Sequence, residues 1–303
     1  MKRVLFTGAN GFIGSPCLNY LTDLNYEIHG VSTSSNSELI PNVTWHKCDL
    51  LNSFDVAALC KKVKATHLLH LAWDVKPGYK TSVDNLDWVK ASMGLLRAFY
   101  ENGGRRAAFA GTCFEYDLHN GVLRENLTPM GPHTVYGAAK HTLHELVRDF
   151  AKKTDLSYAW SRVFYLYGPN ELPERLVASV IKSILSGQIA ACSEGRQVLD
   201  FLHVFDVASA LVTILDSDIQ GGVNVGSGVP TSVRELVLTI AEILGNKKAV
   251  NLGAFPSPQH EPPVIIANIE KLSQLGWQPK FSLDKGLLDT CNWWRETLQQ
   301  KAD

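Results

Sequence analysis

The chain has 303 residues, of which 45% are hydrophobic and 19% charged, and its formal net charge is −1 at pH 7. This balance is typical of a globular protein with a sizeable core, and it excludes a disordered or fibrous chain. A net charge this close to zero gives no electrostatic footprint for nucleic acid or an anionic membrane. The sequence has no run of about 18 apolar residues, no signal peptide and no CxxC pair among its six cysteines. We therefore expect a reduced, cytoplasmic enzyme.

Short β-rich runs alternate with amphipathic segments of helical length through the first half of the chain. Such alternation is typical of parallel strands joined by crossover helices that cover both faces of the sheet. The sequence therefore predicts an α/β fold with a doubly wound parallel sheet. The predicted strands lie at 3–7, 27–32, 43–46, 67–72, 106–112 and 157–164, and the predicted helices at about 12–24, 53–63, 82–102 and 134–153.

The alternation becomes less regular after residue 168. Five prolines between 256 and 279 exclude a long regular element there. We expect residues 1–168, together with 198–226, to form a larger domain, and residues 169–197 and 227–303 to form a smaller α/β cap. The elements predicted after residue 168 are helices near 173–186, 205–216 and 231–244 and strands at 198–204 and 223–225.

A glycine-rich loop directly follows the first predicted strand and opens a helix. Its glycines at positions 8, 11 and 14 permit a tight turn, close approach of the backbone to a diphosphate, and tight packing of the helix on the sheet. The N-terminus of that helix offers N–H groups and a partial positive charge to phosphates. The loop therefore predicts a dinucleotide site, with the spacing GxxGxxG rather than GxGxxG.

The preference for one dinucleotide depends on the end of the second predicted strand. NAD sites usually present an Asp or Glu there to the ribose 2′-hydroxyl. This chain instead has Ser32-Thr33-Ser34-Ser35-Asn36, and its first acid is Glu38. Hydroxyl groups accept a 2′-phosphate that a carboxylate would repel, although no Arg or Lys follows to pair with it. We favour NADP, with NAD as the alternative.

Tyr136 and Lys140 lie four residues apart in the predicted helix at 134–153, so their side chains share one face. A phenol has an ordinary pKa of about 10, and a nearby ammonium stabilises the phenolate and lowers that pKa. The tyrosine can then exchange a proton with a sugar or alcohol oxygen. Thr112 ends the fifth predicted strand, at the edge of the sheet where ligands bind, and can hydrogen-bond the same oxygen.

Taken together, these motifs resemble the extended short-chain dehydrogenase/reductases, in the branch that acts on nucleotide-diphosphate sugars. The likeness covers nearly the whole chain. It implies a dinucleotide-binding Rossmann domain, a smaller cap that binds a nucleotide sugar, and a homodimer. The segments that carry it are the glycine loop, Cys48-Asp49-Leu50, His70-Leu71-Ala72, Thr112 with Tyr136 and Lys140, 162–169, 200–206, 224–228 and 275–279.

The resemblance also implies a role for each matching residue. Tyr136 would be the acid–base group, Lys140 would hold the nicotinamide ribose and tune Tyr136, and Thr112 would orient the substrate oxygen. The implied cofactor-binding residues are Gly8, Asn10, Gly11, Phe12, Ile13, Gly14, Ser32, Thr33, Asp49, Leu50, Leu71, Ala72, Trp73, Tyr136, Lys140 and Phe164.

Departures from the family pattern narrow the reaction. The 4,6-dehydratases carry Asp-Glu directly after the catalytic Thr, where this chain has Cys113 and Phe114, so we do not expect dehydration. An Asn and an Arg that hold the diphosphate in relatives are replaced here by Tyr165 and Leu199. Arg175 and Arg196 are the available substitutes. The predicted substrate-binding residues are Cys113, Phe114, Tyr165, Arg175 and Arg196.

Three functions follow from these observations. The favoured one is reduction of a nucleotide-linked 4-keto-6-deoxy sugar. The alternatives are a nucleotide-sugar epimerase with tightly bound NAD and a protein that binds a dinucleotide without catalysis. We expect no metal site, because His141 and His144 recur at helical spacing without a third ligand.

Overall fold

A computed structural model describes residues 2–33, 42–257 and 262–300 of the chain. The described strands are β1 (Arg3–Thr7), β2 (Glu27–Ser32), β3 (Val43–Lys47), β4 (His67–His70), β5 (Arg106–Thr112), β6 (Gly121–Leu123), β7 (Ser157–Val163), β8 (Tyr165–Tyr167), β9 (Ala190–Cys192), β10 (Val198–His203), β11 (Gly221–Val225), β12 (Pro230–Ser232), β13 (Val250–Leu252) and β14 (Val264–Ala267).

The helices have side-chain caps where the sequence supplies them. Asn52, Thr134 and Ser232 each accept a hydrogen bond from a backbone N–H in the first turn of the helix that follows. The described α-helices are α1 (Gly14–Asp23), α2 (Ser53–Val63), α3 (Asn85–Glu101), α4 (Val135–Lys152), α5 (Leu176–Leu185), α6 (Val204–Asp216), α7 (Val233–Ile243), α8 (Glu270–Ser273) and α9 (Leu283–Gln300).

The larger sheet is parallel throughout, in the order β11-β7-β5-β4-β1-β2-β3. Helices α1 and α6 pack on one face, and α2, α3 and α4 on the other, so apolar strands such as β1 are buried on both sides. The predicted doubly wound α/β fold is confirmed. The chain runs outward from β1 to β3 and then returns to β4, so the crevice between the ends of β1 and β4 is a topological switch point.

The smaller sheet has the order β12-β10-β14-β6, with β8 paired to β10, and it packs against α5, α7 and α9. The prediction placed 121–123 and 198–203 in the larger domain, but β6 and β10 both pair with β14 in this smaller sheet. Short strands of this kind are held by pairing partners far away in the sequence, which local patterns do not reveal. The other two elements that the prediction placed in the larger domain after residue 198 are α6 and β11. Both contact the larger sheet.

Two further features concern the compartment of the protein. All six cysteines fall within the described residues, and each is buried with a free thiol. In the part of the chain that the structure describes, no helix combines the length and the apolar character needed to cross a bilayer.

Candidate active site

The glycine loop joins β1 to α1 at the switch point. Gly8 has φ of +74°, and a Cβ atom built on it would lie 2.8 Å from the backbone nitrogen of Ala72. A Cβ atom on Gly14 would overlap the carbonyl oxygen of Gly8. Gly11 donates its N–H to the same carbonyl at 3.0 Å. The loop therefore keeps its turn and its contact with β4 only with glycine at positions 8 and 14.

The other predicted cofactor residues gather at the same edge of the sheet. The Asn10 side chain donates to the Ser32 hydroxyl at 3.3 Å, which joins the glycine loop to the end of β2. The residues Leu71 and Ala72 donate backbone N–H groups to Thr7 at 3.1 and 3.4 Å. The remaining members belong to the glycine loop or follow the ends of other strands: half-buried Phe12 and Ile13 in the loop, exposed Thr33 after β2, exposed Asp49 and buried Leu50 after β3, and buried Phe164 after β7. Ser34, Ser35, Asn36 and Glu38 lie outside the described residues.

The structure brings Thr112, Tyr136 and Lys140 together. All three are buried, Thr112 at the end of β5 and the other two in the first turns of α4. The ammonium of Lys140 donates to the carbonyl of Ala110 at 2.9 Å and lies 3.7 Å from the centroid of the Trp73 ring. A side-chain hydrogen bond links Tyr136 to Thr112. The predicted acid–base set is therefore a compact group at the carboxyl edge of the sheet.

The electrostatics of this group differ from the prediction. Burial raises the pKa of Tyr136 well above its usual value, Tyr79 and Glu115 act in the same direction, and the hydrogen bond with Thr112 opposes them. The expected lowering of this pKa by Lys140 is therefore wrong for this structure, because desolvation of the phenol dominates. Burial also lowers the pKa of Lys140 to about 7, against the attraction of Glu115.

A segment after β4, residues 73–82, packs against Tyr136, and the sequence analysis singled out only Trp73 in it. The ring of Tyr79 packs edge-on against Tyr136 with centroids 4.9 Å apart, and Trp73 packs against the same ring at 6.2 Å. The carbonyl of Lys80 accepts the backbone N–H of Tyr136 at 3.1 Å. The position of the segment directly after a parallel strand was the signal that could have identified it.

The predicted substrate residues divide into two sets. Phe114 lies with its ring 4.5 Å from the ammonium of Lys80 and 6.2 Å from the ring of Tyr165. The guanidinium of Arg175 lies 5.2 Å from the centroid of Tyr79, whose ring packs against Tyr136. Arg196 differs, because its side chain is 83% exposed and pairs with Glu194 at 3.8 Å.

Cys113 directly follows Thr112 and is almost fully buried. Burial raises the pKa of its thiol to about 12. The thiol is therefore protonated at neutral pH and cannot serve as a base.

A buried ion pair of Glu115 and Arg162 lies next to Thr112. The carboxylate of Glu115 accepts from the backbone N–H of Thr112 at 2.8 Å, from the indole N–H of Trp160 at 2.8 Å and from Arg162 Nε at 2.9 Å. Arg162 is also buried, and its guanidinium donates to Nδ1 of His144 on α4 at 3.1 Å. The pair therefore connects the end of β5 to β7 and to α4.

The same network bears on metal binding by Glu115, His141 and His144, whose ligand atoms lie within 4.8 Å of one another. A guanidinium only donates hydrogen bonds, so Nδ1 of His144 is the acceptor and Nε2 carries the proton. Burial lowers the pKa of His144 to about 3, which keeps the imidazole neutral. Since Glu115 is occupied by Arg162, this cluster does not offer a metal three ligands.

Comparison with known proteins defines the class. The sequence profile of the NAD dependent epimerase/dehydratase family matches residues 4–226. The CDP-abequose synthase of Salmonella muenchen is 26% identical over 301 residues, which cover 94% of this chain and 96% of that one. The uncharacterized UDP-glucose epimerase of Bacillus subtilis is 28% identical over 309 residues, which cover 94% and 95%. The Thermus thermophilus UDP-glucose 4-epimerase, solved in complex with NAD, is 25% identical, covers 97% of this chain and 99% of its own, and has a TM-score of 0.86.

Fold and site together define an enzyme of the extended short-chain dehydrogenase/reductase class, with a Rossmann-type sheet. The chain belongs to the NAD dependent epimerase/dehydratase family. The resemblance inferred from the sequence is thus confirmed.

The close contact between Gly14 and Gly8 predicts the effect of one methyl group. We expect Gly14→Ala to lower the free energy of unfolding by about 1–3 kcal/mol, because the new Cβ displaces the Gly8 carbonyl. Gly94→Ala on α3 is the matched control. A Cβ there meets nothing within 4 Å, so it should raise stability by about 0.5–1 kcal/mol. Denaturant unfolding measures both, and equal stability of Gly14→Ala and the wild type would contradict the contact.

The buried pair predicts a large loss of stability on removal of its anion. We expect Glu115→Ala to lower the free energy of unfolding by about 3–5 kcal/mol, because Arg162 is left buried without a partner. Glu101→Ala removes an exposed carboxylate that pairs with Arg97, and should change stability by less than about 1 kcal/mol. Thermal and denaturant unfolding of both variants test this difference. Similar losses in the two variants would show that Glu115 has no special role.

Proposed function

We propose that the protein is an NADP-dependent reductase of a nucleotide-linked 4-keto-6-deoxy sugar. The observation that carries this proposal is the buried group of Thr112, Tyr136 and Lys140 at the carboxyl edge of the sheet. The two residues after Thr112 are a buried thiol and an aromatic ring, and the next carboxylate, Glu115, is bound to Arg162. No carboxylate next to Thr112 is therefore available for the proton transfers of dehydration, which favours a simple reduction.

The glycine loop fits a dinucleotide. The backbone around positions 8 and 14 has no room for a side chain, so the loop is bare where it leads into the N-terminus of α1. Gly8, Gly11 and Gly14 would hold the diphosphate, and Asn10 and Ser32 would face the adenosine ribose. Lys140 would contact the nicotinamide ribose. When bound, the nicotinamide supplies the hydride.

The state of Tyr136 supports reduction. Its raised pKa keeps the phenol protonated at neutral pH. A protonated phenol can give a proton to a ketone oxygen as negative charge develops there. Thr112, linked to Tyr136 by a side-chain hydrogen bond, would orient that oxygen.

The alternative is an epimerase that retains NAD and returns the hydride to the sugar. The observation in its favour is the similarity to the UDP-glucose epimerase of Bacillus subtilis and to the NAD-bound UDP-glucose 4-epimerase of Thermus thermophilus. An epimerase must first take a proton from the sugar hydroxyl, so it needs the phenolate form of Tyr136.

NADP is supported by the end of β2 and by a neighbour that the sequence analysis did not identify. Ser32 lies opposite Lys47 in the pairing of β2 with β3, and Lys47 is exposed. Thr33 is exposed beside them. Two hydroxyl groups and a lysine suit a 2′-phosphate.

Further observations support a nucleotide-sugar substrate, a homodimer and a cytoplasmic location. Arg175 and Lys80 place two cations beside the aromatic rings of Tyr79 and Phe114, which suits a nucleotide diphosphate. The similarity to a CDP-abequose synthase also supports a nucleotide-linked sugar. Helices α3 and α4 pack side by side and carry exposed leucines, which supports a homodimer formed by these helices. Six buried free thiols suit the reducing cytoplasm.

The cofactor and the reaction are tested together. The purified protein is denatured and any released dinucleotide identified, and the protein is then titrated with NADPH and NADH. We expect tighter binding of NADPH, and consumption of NADPH with a dTDP-, GDP-, CDP- or UDP-linked 4-keto-6-deoxy sugar. Stoichiometric release of NAD without net turnover would establish the epimerase instead.

A matched pair of tyrosine variants tests the catalytic assignment. Tyr136→Phe should lower turnover by about 10²–10⁴-fold, because it removes the proton donor, while NADPH still binds. Tyr100→Phe removes a phenol that hydrogen-bonds Asp155, and should leave turnover unchanged. A fully active Tyr136→Phe would favour binding without catalysis at this site.

Lys47 predicts a change in cofactor preference. Lys47→Glu should lower the affinity for NADPH relative to NADH by about tenfold or more, because a carboxylate repels the 2′-phosphate. Lys61→Glu on α2 makes the same change of charge at another exposed position and should leave the ratio unchanged. Fluorescence titration with both dinucleotides measures the ratio. The same ratio in the wild type and Lys47→Glu would remove the role of Lys47.

A further inference from the structure

The ring of Trp73 lies against the ammonium of Lys140. The Nζ atom is 3.7 Å from the ring centroid, well within the range of a cation–π interaction. The same ring also packs against Trp88 of α3, which stacks on it with centroids 5.9 Å apart and an interplanar angle of 29°. The position of the indole is thus set by packing as well as by its contact with the cation.

Asn85 fixes the indole ring and the segment that follows it. Its side-chain oxygen accepts the indole N–H of Trp73 at 2.8 Å. Its amide group donates to the carbonyls of Tyr79 and Ser82, both at 2.7 Å. Asn85 is itself only 3% exposed. One buried amide therefore uses its oxygen and both its N–H bonds to hold Trp73 and the 79–82 turn in fixed positions.

The charged and titratable groups around Lys140 leave the ammonium with little compensation. His70 on β4 is kept neutral by burial, which lowers its pKa to about 3. Glu115, after β5, attracts the ammonium but is paired with Arg162. Tyr136, on the same helix, is protonated. The ammonium donates a hydrogen bond to the carbonyl of Ala110, and the face of Trp73 is its second direct contact.

We propose that Trp73 is a positioning residue for Lys140: its indole face holds the buried ammonium in place and favours its charged form. This role goes beyond lining the dinucleotide groove, and it rests on the proposed function in which Lys140 serves the cofactor and Tyr136. An aliphatic side chain in place of Trp73 would keep Lys140 in apolar surroundings without attracting the charge. The amine would then lose its proton at a lower pH.

Direct titration of Lys140 in the protein without added ligand tests the proposal. Lysine is labelled at its ε-carbon, the Lys140 resonance is assigned by its loss in Lys140→Met, and its chemical shift is followed with pH. In Trp73→Leu we expect the pKa of Lys140 to fall by about one pH unit, and in Trp73→Phe by less, because phenylalanine keeps a weaker aromatic face. Trp293→Leu, a half-buried tryptophan on α9, is the control and should leave this pKa unchanged.

The outcomes separate this role from a structural one and from the proposed function. An unchanged or higher pKa in Trp73→Leu would overturn the proposal. If that variant does not fold by circular dichroism, Trp73→Phe decides in the same way. NADPH and NADH are titrated into the wild type in parallel. If the wild type binds neither, the proposed function fails whatever the pKa shows. If it binds a dinucleotide and Lys140 titrates alike in all variants, only the role of Trp73 fails.

Discussion

A carboxylate removed from water costs several kcal/mol unless a cation and N–H donors surround it, and Glu115 has both. Its partners come from two strands, because Thr112 ends β5 while Trp160 and Arg162 lie on β7, and Arg162 extends the network to α4 through His144. Thr112 and α4 are therefore held in fixed positions relative to one another. A shift of either would separate Glu115 from Arg162 and leave a buried charge without its partner.

Burial acts in opposite directions on the two titratable groups above this pair. It favours the neutral phenol of Tyr136 and disfavours the ammonium of Lys140. The result is a protonated tyrosine beside a lysine whose pKa lies near 7. A site in this state is prepared to give a proton rather than to take one, which suits the proposed reduction of a ketone. Spacing in the sequence shows that the two side chains share a helix face, but it does not show how far each is desolvated.

The sequence analysis identified the features that depend on residues close together in the chain. The alternation of strands and helices predicts the larger sheet, and the Tyr136–Lys140 spacing works because both residues lie on one helix. The parts that it missed depend on pairing across the chain. Lys47 becomes a neighbour of Ser32 only through the register of β2 and β3, and β6 joins the smaller sheet only through β14, more than a hundred residues later. Arg196 stays a prediction, because its side chain is exposed and paired with Glu194, and a suitable residue type in a loop does not fix where that side chain points.

The replacements at Tyr165 and Leu199 have a consequence for charge in the proposed substrate pocket. Tyr165 packs its ring against Phe114 and Phe201, and Leu199 is buried, so the replacing side chains are in apolar surroundings. The cations come from other segments of the chain, because Lys80 belongs to the segment after β4 and Arg175 covers Tyr79 of that segment. That segment also carries Trp73 and is fixed by Asn85. Recognition of an anionic substrate and control of the charge on Lys140 would then depend on the same segment. A substitution in this segment that alters one of these properties is expected to alter the other.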